Sequence, residues 1–410
     1  MGGAAMGYDE TGRGAPAESS SNVPAAVLEN VFDDPAHGEP GRDRVAVHVV
    51  WELLLLGGLT AVTWLLWRDD ADALRGDALR SLLVDVAGFG LLALAAGLSL
   101  RTAAVNLAIG PVALAAALHF AEQGDRSLQE VLLPALAVAA LGGLALALAV
   151  VVLHVPGWAA SLAGAAGVIA YIERHTAPVP VQGGYDPRPT AIYLFVGFAA
   201  LAVLGGLFGA MRPIRRLVGR FRPVADPARR RGGVAATVTA LALIGSTVLA
   251  MLAGVLLAAN RSGPITPGSG LNWTVLAVGT AMLAGTSAYG RRGGIFGTLF
   301  AVSLVTVFLI WSRAEGWTIN RWGVGGAVLG VGLLVTRLVE RFGRPRSAAA
   351  DLEVGPSGDG TVSTGWTLTR QPEPADAWPP VLPVQTTETL DAWQAPRWER
   401  EPRRWDADDH

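Results

Sequence analysis

Apolar residues run in blocks of about 18 to 25 from Ala46 to Val339, punctuated by short stretches rich in Gly, Pro and Arg. Wound as a helix, a block of that length crosses the ~30 Å hydrocarbon core of a bilayer. The pattern predicts ten spans, at about 45–67, 81–100, 103–121, 131–153, 158–172, 190–210, 235–259, 272–288, 294–312 and 322–339. Trp51, Trp64 and Trp67 lie near the ends of the first, where tryptophan prefers the headgroup boundary. The fifth is short and follows the break His154-Val155-Pro156-Gly157, so it is either a full crossing or a re-entrant half-helix. The predicted fold class is all-α: a polytopic membrane bundle of about ten transmembrane helices with one or two broken or re-entrant segments. It occupies residues 45–342, between N-terminal (1–44) and C-terminal (343–410) tails expected to be disordered.

Composition agrees with this class. Of the 410 residues 51% are hydrophobic and only 16% charged, too little charge to wet the surface of a soluble domain of this size. The chain has no Cys, which excludes disulfides and thiolate metal sites. It also has no Lys, so all its basic residues are Arg. Residues 1–44 are polar and acid-leaning and do not read as a signal peptide. The C-terminal tail holds five of the 13 tryptophans, at Trp366, Trp378, Trp393, Trp398 and Trp405, which reads as a docking or membrane-surface peptide or as an inert tail.

Arginine sets the expected orientation. The segment from Met211 to Gly233 carries Arg212, Arg215, Arg216, Arg220, Arg222, Arg229, Arg230 and Arg231 against Asp226 alone. It is expected to face the cytoplasm, together with Arg291-Arg292 and the run Arg337, Arg341, Arg344 and Arg346. The arginine-poorer segments 173–189, 260–271 and 313–321 then lie outside. Both termini fall in the cytoplasm of a plasma-membrane protein.

Few side chains suggest chemistry. Asp85, in the second span, is an intramembrane carboxylate and a functional candidate for that reason. Arg80 is close enough in sequence to pair with it near the interface. Glu52 and Glu173 read as interfacial. His119 and His154 are isolated, no HExxH is present, and a lysine-free chain has no Walker A motif. No catalytic centre, metal site, cofactor or nucleic-acid surface is expected.

Four segments, in order, resemble the permease subunits of ABC importers of the ribose and branched-chain amino-acid type. Val105-Asn106-Leu107-Ala108-Ile109-Gly110 stands where that family has Ile-Asp-Leu-Ser-Val-Gly, ahead of Pro111. Leu283 to Ala301, LAGTSAYGRRGGIFGTLFA, is similar to its GGTSLxGGRGSxxGTLxGA, with Gly285, Thr286, Ser287, Gly290, Arg292, Gly293, Gly297, Thr298 and Leu299 matching. Val155 to Leu162 and Ser246 to Ala259 are weaker matches. The resemblance implies a subunit that pairs with a second permease subunit, as homo- or heterodimer. It implies substrate delivered by an extracytoplasmic binding protein and drive from separate ATPase subunits. Asn106, Gly110 and Pro111 fall at a helix break on the implied substrate path, where Asn106 either contacts a polar solute or bonds a neighbouring helix. Gly285, Thr286, Ser287, Gly290, Arg292, Gly293 and Gly297 form a turn expected to be structural.

The sequence departs from the family in two places. Asn106 replaces the usual Asp, and the long loop lacks the Ala-rich docking helix. Contact with an ATPase is left to Arg220, Phe221, Arg222, Arg229, Arg230 and Arg231, unless that loop only touches anionic lipid. The importer is expected to carry a small polar solute, a monosaccharide by this resemblance. The alternative is a non-transporting membrane scaffold or accessory protein that lost ATPase coupling.

Because the chain lacks cysteine, single replacements test the orientation. In intact cells R222C is expected to resist a membrane-impermeant maleimide while Q182C is labelled. The opposite pattern inverts the topology.

Overall fold

The computed structural model describes residues 45–102, 104–123, 125–182, 184–211, 233–287, 294–343, 361–362 and 366–367. Ten α-helices lie among the described residues: α1 (Val45–Asp69), α2 (Gly76–Arg101), α3 (Ile109–Gln123), α4 (Leu128–Val151), α5 (Gly157–Ile172), α6 (Ala191–Ala210), α7 (Gly233–Ala259), α8 (Leu271–Leu283), α9 (Gly297–Ala314) and α10 (Arg321–Gly343). The chain divides into the units Met1–Pro345 and Arg346–His410. In the second, β1 (Thr361–Val362) pairs antiparallel with β2 (Trp366–Thr367).

The helices fall where the apolar blocks do, but their lengths divide them. Six are long and apolar enough to cross a membrane: Val47–Asp69, Gly76–Arg101, Leu128–Val151, Arg188–Ala210, Ala236–Ala259 and Gly297–Ala314. Gly157–Ile172, Leu271–Leu283 and Trp322–Leu338 are apolar but shorter. The sequence expectation was ten spans, so the supported class is a helical membrane bundle with six such helices. The third block also differs. Its helix begins at Ile109 rather than 103, because the Asn106–Pro111 stretch is taken up by a break. With 13 residues, α8 covers about 20 Å at the α-helical rise, short of a bilayer core.

Helices α2 and α7 form the centre. Of their apolar windows 61% is buried inside the bundle, against 11% for α1 and 22% each for α4 and α6. Leu133 and Leu141 on α4 and Ile192 and Tyr193 on α6 are among many large apolar side chains left open on the outside. Water would not tolerate so much contiguous apolar surface, whereas lipid tails match it. Local signals set the ends. Ser127 and Glu130 form a capping box at the start of α4, each side chain accepting the other's backbone N–H. Gly316, at φ +72°, ends α9 with Trp317 N–H donating to Ser312 O at 2.9 Å and Gly316 N–H to Arg313 O at 2.9 Å, a Schellman cap.

In lipid, helices associate through close van der Waals packing, so small residues gather where backbones approach. Gly143 on α4 meets Ile244 and Thr247 of α7, Gly279 on α8 meets Leu329 of α10, and Gly254 on α7 meets the Ala113 backbone of α3. A methyl at position 254 would overlap the Ala113 carbonyl. Gly254→Ala is expected to destabilise the detergent-solubilised protein by about 1–3 kcal/mol. Gly57→Ala, with open space around it, should leave the unfolding temperature unchanged.

Candidate functional site

Two helix starts meet inside the bundle. Asn106 donates from Nδ2 to Ser246 Oγ at 3.1 Å, and its Oδ1 accepts from Ala108 N at 3.0 Å. Ser246 is 13 residues from either end of α7, so α3 begins deep in the bundle and not at its surface. The chain between α2 and α3 is held at two of its carbonyls. Ser161 Oγ donates to Val105 O at 2.9 Å, and Thr274 Oγ1 donates to Leu107 O at 3.1 Å while accepting from Gly110 N at 3.0 Å. Gly110 lies against Gly270, the left-handed residue (φ +68°) that opens α8. A side chain on either glycine would force the two starts apart. Pro111, one residue on, is buried and has no N–H to satisfy, which suits the first turn of a helix.

Next to these starts, at the end of the bundle opposite Ala210 and Gly233, lies a cavity of about 420 Å³. It is walled by α2, α7, α8 and α9 and contains Asp85, Asn260, Arg261, Asn272 and Arg313 beside Trp273 and Trp317. A second space of about 350 Å³ shares Arg261, Asn272 and Trp273 with it and reaches Gly270. Asn260 fixes the carboxylate. It donates from Nδ2 to Asp85 Oδ1 at 2.8 Å and to Ser81 O at 2.9 Å, and accepts from Ser81 Oγ at 3.1 Å. That consumes both amide protons, so Asn260 bridges α2 and α7 and presents Asp85 to the cavity. Arg80, the partner expected from spacing, instead bonds Asp77 at 3.2 Å. The reason is direction: Arg80 and Asp77 share the outer turn of α2, while Asp85 faces inward toward α7.

At the other end of the bundle α1 braces the turn between α8 and α9. Trp51 Nε1 donates to Leu283 O at 2.8 Å, closing the end of α8. The neighbouring Glu52 carboxylate accepts from Phe296 N at 2.8 Å and Gly297 N at 3.2 Å, capping the start of α9. Glu52, read from sequence as interfacial, is thus a helix cap supplied from another helix, a placement favoured by the positive end of the dipole. Gly285 takes φ +90° and forms a Schellman cap, with Gly285 N–H donating to Met282 O at 2.9 Å and Thr286 N–H to Ala281 O at 3.1 Å. Thr286, Ser287 and Gly297 are buried around it.

The sequence-predicted residues therefore separate. Asn106, Gly110 and Pro111 are all buried and line neither cavity, although Gly110 touches Gly270, which does. Gly290, Arg292 and Gly293 lie outside the described residues, as do Arg220, Phe221, Arg222, Arg229, Arg230 and Arg231. The cavity residues Asn260, Arg261, Asn272, Trp273, Arg313 and Trp317 were missed. Their one sequence signal is polar or aromatic character at the edges of apolar blocks. His119 Nε2 is buried without a hydrogen-bond partner, and no group of three or more metal-binding side chains occurs among the described residues.

These features define the class as a helical membrane bundle with a polar cavity at one end. No protein-family model, curated protein or solved structure matches the chain.

The Asn260 bridge carries three hydrogen bonds between two central helices. Asn260→Ala is expected to lower unfolding stability by about 1–3 kcal/mol, since it leaves the part-buried Asp85 without its amide donor. Denaturant titration in micelles measures it, and a negligible change shows that water replaces the amide.

Proposed function

We propose that the chain is the membrane-spanning permease subunit of an ABC-type importer for a small polar solute, powered by separate ATPase subunits. The observation that carries this reading is the polar cavity beside two helix starts inside the bundle, at the end opposite Ala210 and Gly233, which flank the arginine-rich sequence 212–232. Interrupted helices are tolerated at membrane depth where protein or a water-filled cavity satisfies them, and such breaks recur at solute sites. In this reading the cavity opens outward and receives solute from an extracytoplasmic binding protein. The contact of Gly110 with Gly270 closes its inner side. ATP-driven movement reaches the bundle through the 212–233 loop, and two such subunits pair across lipid-facing helices. The plasma membrane, with both termini in the cytoplasm, is the location that follows from the arginine distribution.

Affinity purification of the tagged protein from its own host's membranes tests this. An ABC ATPase is expected to co-purify, and replacing Arg220, Arg222, Arg229, Arg230 and Arg231 with Ser should remove most of it. Intact protein that recovers no ATPase points instead to a permease-like scaffold without coupling.

A further inference from the structure

The cavity says more about its solute than that it is polar. Three charged side chains line the larger space, Asp85, Arg261 and Arg313, and the smaller adds no charge beyond the shared Arg261. With Asp85 ionised the lining carries a net charge of +1, and with Asp85 protonated it carries +2. The sign is the same in both states. Among the described residues neither guanidinium is engaged in an ion pair, since the pairs formed by arginine are those of Arg68, Arg75, Arg80 and Arg188. Both act electrostatically on the Asp85 carboxylate without a close ion pair, and their forked donors match a second carboxylate.

The rest of the lining has different chemistry. Asn260 occupies Asp85 Oδ1, and no partner for Oδ2 occurs among the described residues, so that oxygen can accept from a solute hydroxyl. The Asn272 amide is part-exposed in the wall shared by both spaces, in the first turn of α8, where the helix dipole is positive. Trp273 and Trp317 supply apolar faces for C–H groups, and Trp317 is held by edge packing on Trp311 at a centroid distance of 5.1 Å. A volume of about 420 Å³ suits a solute of monosaccharide size.

We propose that this cavity binds a small hydroxylated monocarboxylate, an acid of monosaccharide size, in preference to a neutral sugar or a zwitterion. The inference rests on the permease reading for its biological meaning but concerns the cavity itself. The carboxylate lies toward Arg261 and Arg313, the hydroxyls reach Asp85 and Asn272, and the carbon chain lies on the tryptophans. A neutral sugar leaves both guanidiniums unmatched. A zwitterion satisfies Asp85 and one arginine but leaves the net positive charge standing.

The test uses full-length protein in detergent, titrated with D-gluconate, D-glucose, L-leucine and acetate, read by calorimetry and tryptophan fluorescence. Gluconate is expected to bind at least about tenfold more tightly than the other three, from one added charge-assisted contact. Arg261→Gln should weaken gluconate about 10- to 100-fold, Arg261→Lys should recover part of the loss, and neither should shift the unfolding temperature. Glucose, leucine or acetate binding as tightly as gluconate overturns the inference. So does gluconate binding that ignores Arg261→Gln, or no binding of any probe. ATPase co-purification reports on the permease reading separately. An ATPase recovered with a glucose-preferring cavity retains the permease and removes the anion.

Discussion

Everything in this bundle depends on satisfying backbone groups where the helices stop. In hydrocarbon an unpaired N–H or C=O costs several kcal/mol, so a chain leaves the helical state inside the bundle only where side chains replace the lost bonds. The stretch between α2 and α3 meets that demand with Ser161 of α5 and Thr274 of α8 on its backbone, and with Asn106, whose Oδ1 takes the Ala108 N–H while Ser246 of α7 holds its amide. Thr274 satisfies two groups of this stretch at once, taking the Gly110 N–H while donating to Leu107 O. The break is therefore a joint property of four helices, and the position of α3 and α8 follows from it. The first turn of α8, through Asn272 and Trp273, lines both spaces.

The two ends of the bundle solve the same problem in different ways. At the cavity end the closing residues are amides and hydroxyls, with Asn260 tying α2 to α7 while leaving part of Asp85 uncommitted. At the other end one dipeptide of α1 does the work. Trp51 takes a terminal carbonyl of α8, and Glu52 takes two terminal amides of α9. The carboxylate in that second contact sits on the positive end of a helix, so it contributes electrostatically as well as by hydrogen bonding. Adjacent residues of α1 tie the end of α8 to the start of α9. Uncommitted polar groups are thus concentrated at the cavity end, while the α8–α9 turn is braced.

The sequence carried the helix positions well because apolar block length is a strong, local signal. It carried the breaks in part. Gly110-Pro111 beside Asn106 marks an interruption, and the break lies there, but which side chains would satisfy it depends on partners 56 to 167 residues away. Crossing number was less legible, since a block such as 272–288 has the composition of a span yet ends at Gly285, whose positive φ stops the helix after 13 residues. The cavity was the least legible part. Asp85 was visible as an oddity, but its partner Asn260 lies 175 residues on, and Arg261 and Arg313 looked like ordinary loop charges. Arg80 appeared to be the natural partner because spacing along one helix can be counted, whereas contact between helices cannot.

The placement of Asn106 bears on how a solute would move. Fully buried and bonded on both sides of its amide, it is closed off from the cavity, while Asp85 lines it. The cavity and the helix break are therefore adjacent and distinct, and Gly110 of the break lies against Gly270, which lines the smaller space. In the proposed permease these two glycines form a thin barrier with no side chain to rotate aside, so opening it requires one helix start to slide on the other. Sliding breaks the Thr274 bonds to Leu107 and Gly110, and those groups then need other partners, which hydroxyls on an entering solute can supply. In the proposed permease a polar solute is thus compensated at this contact where an apolar one is not, which favours hydroxylated solutes there as well as in the cavity.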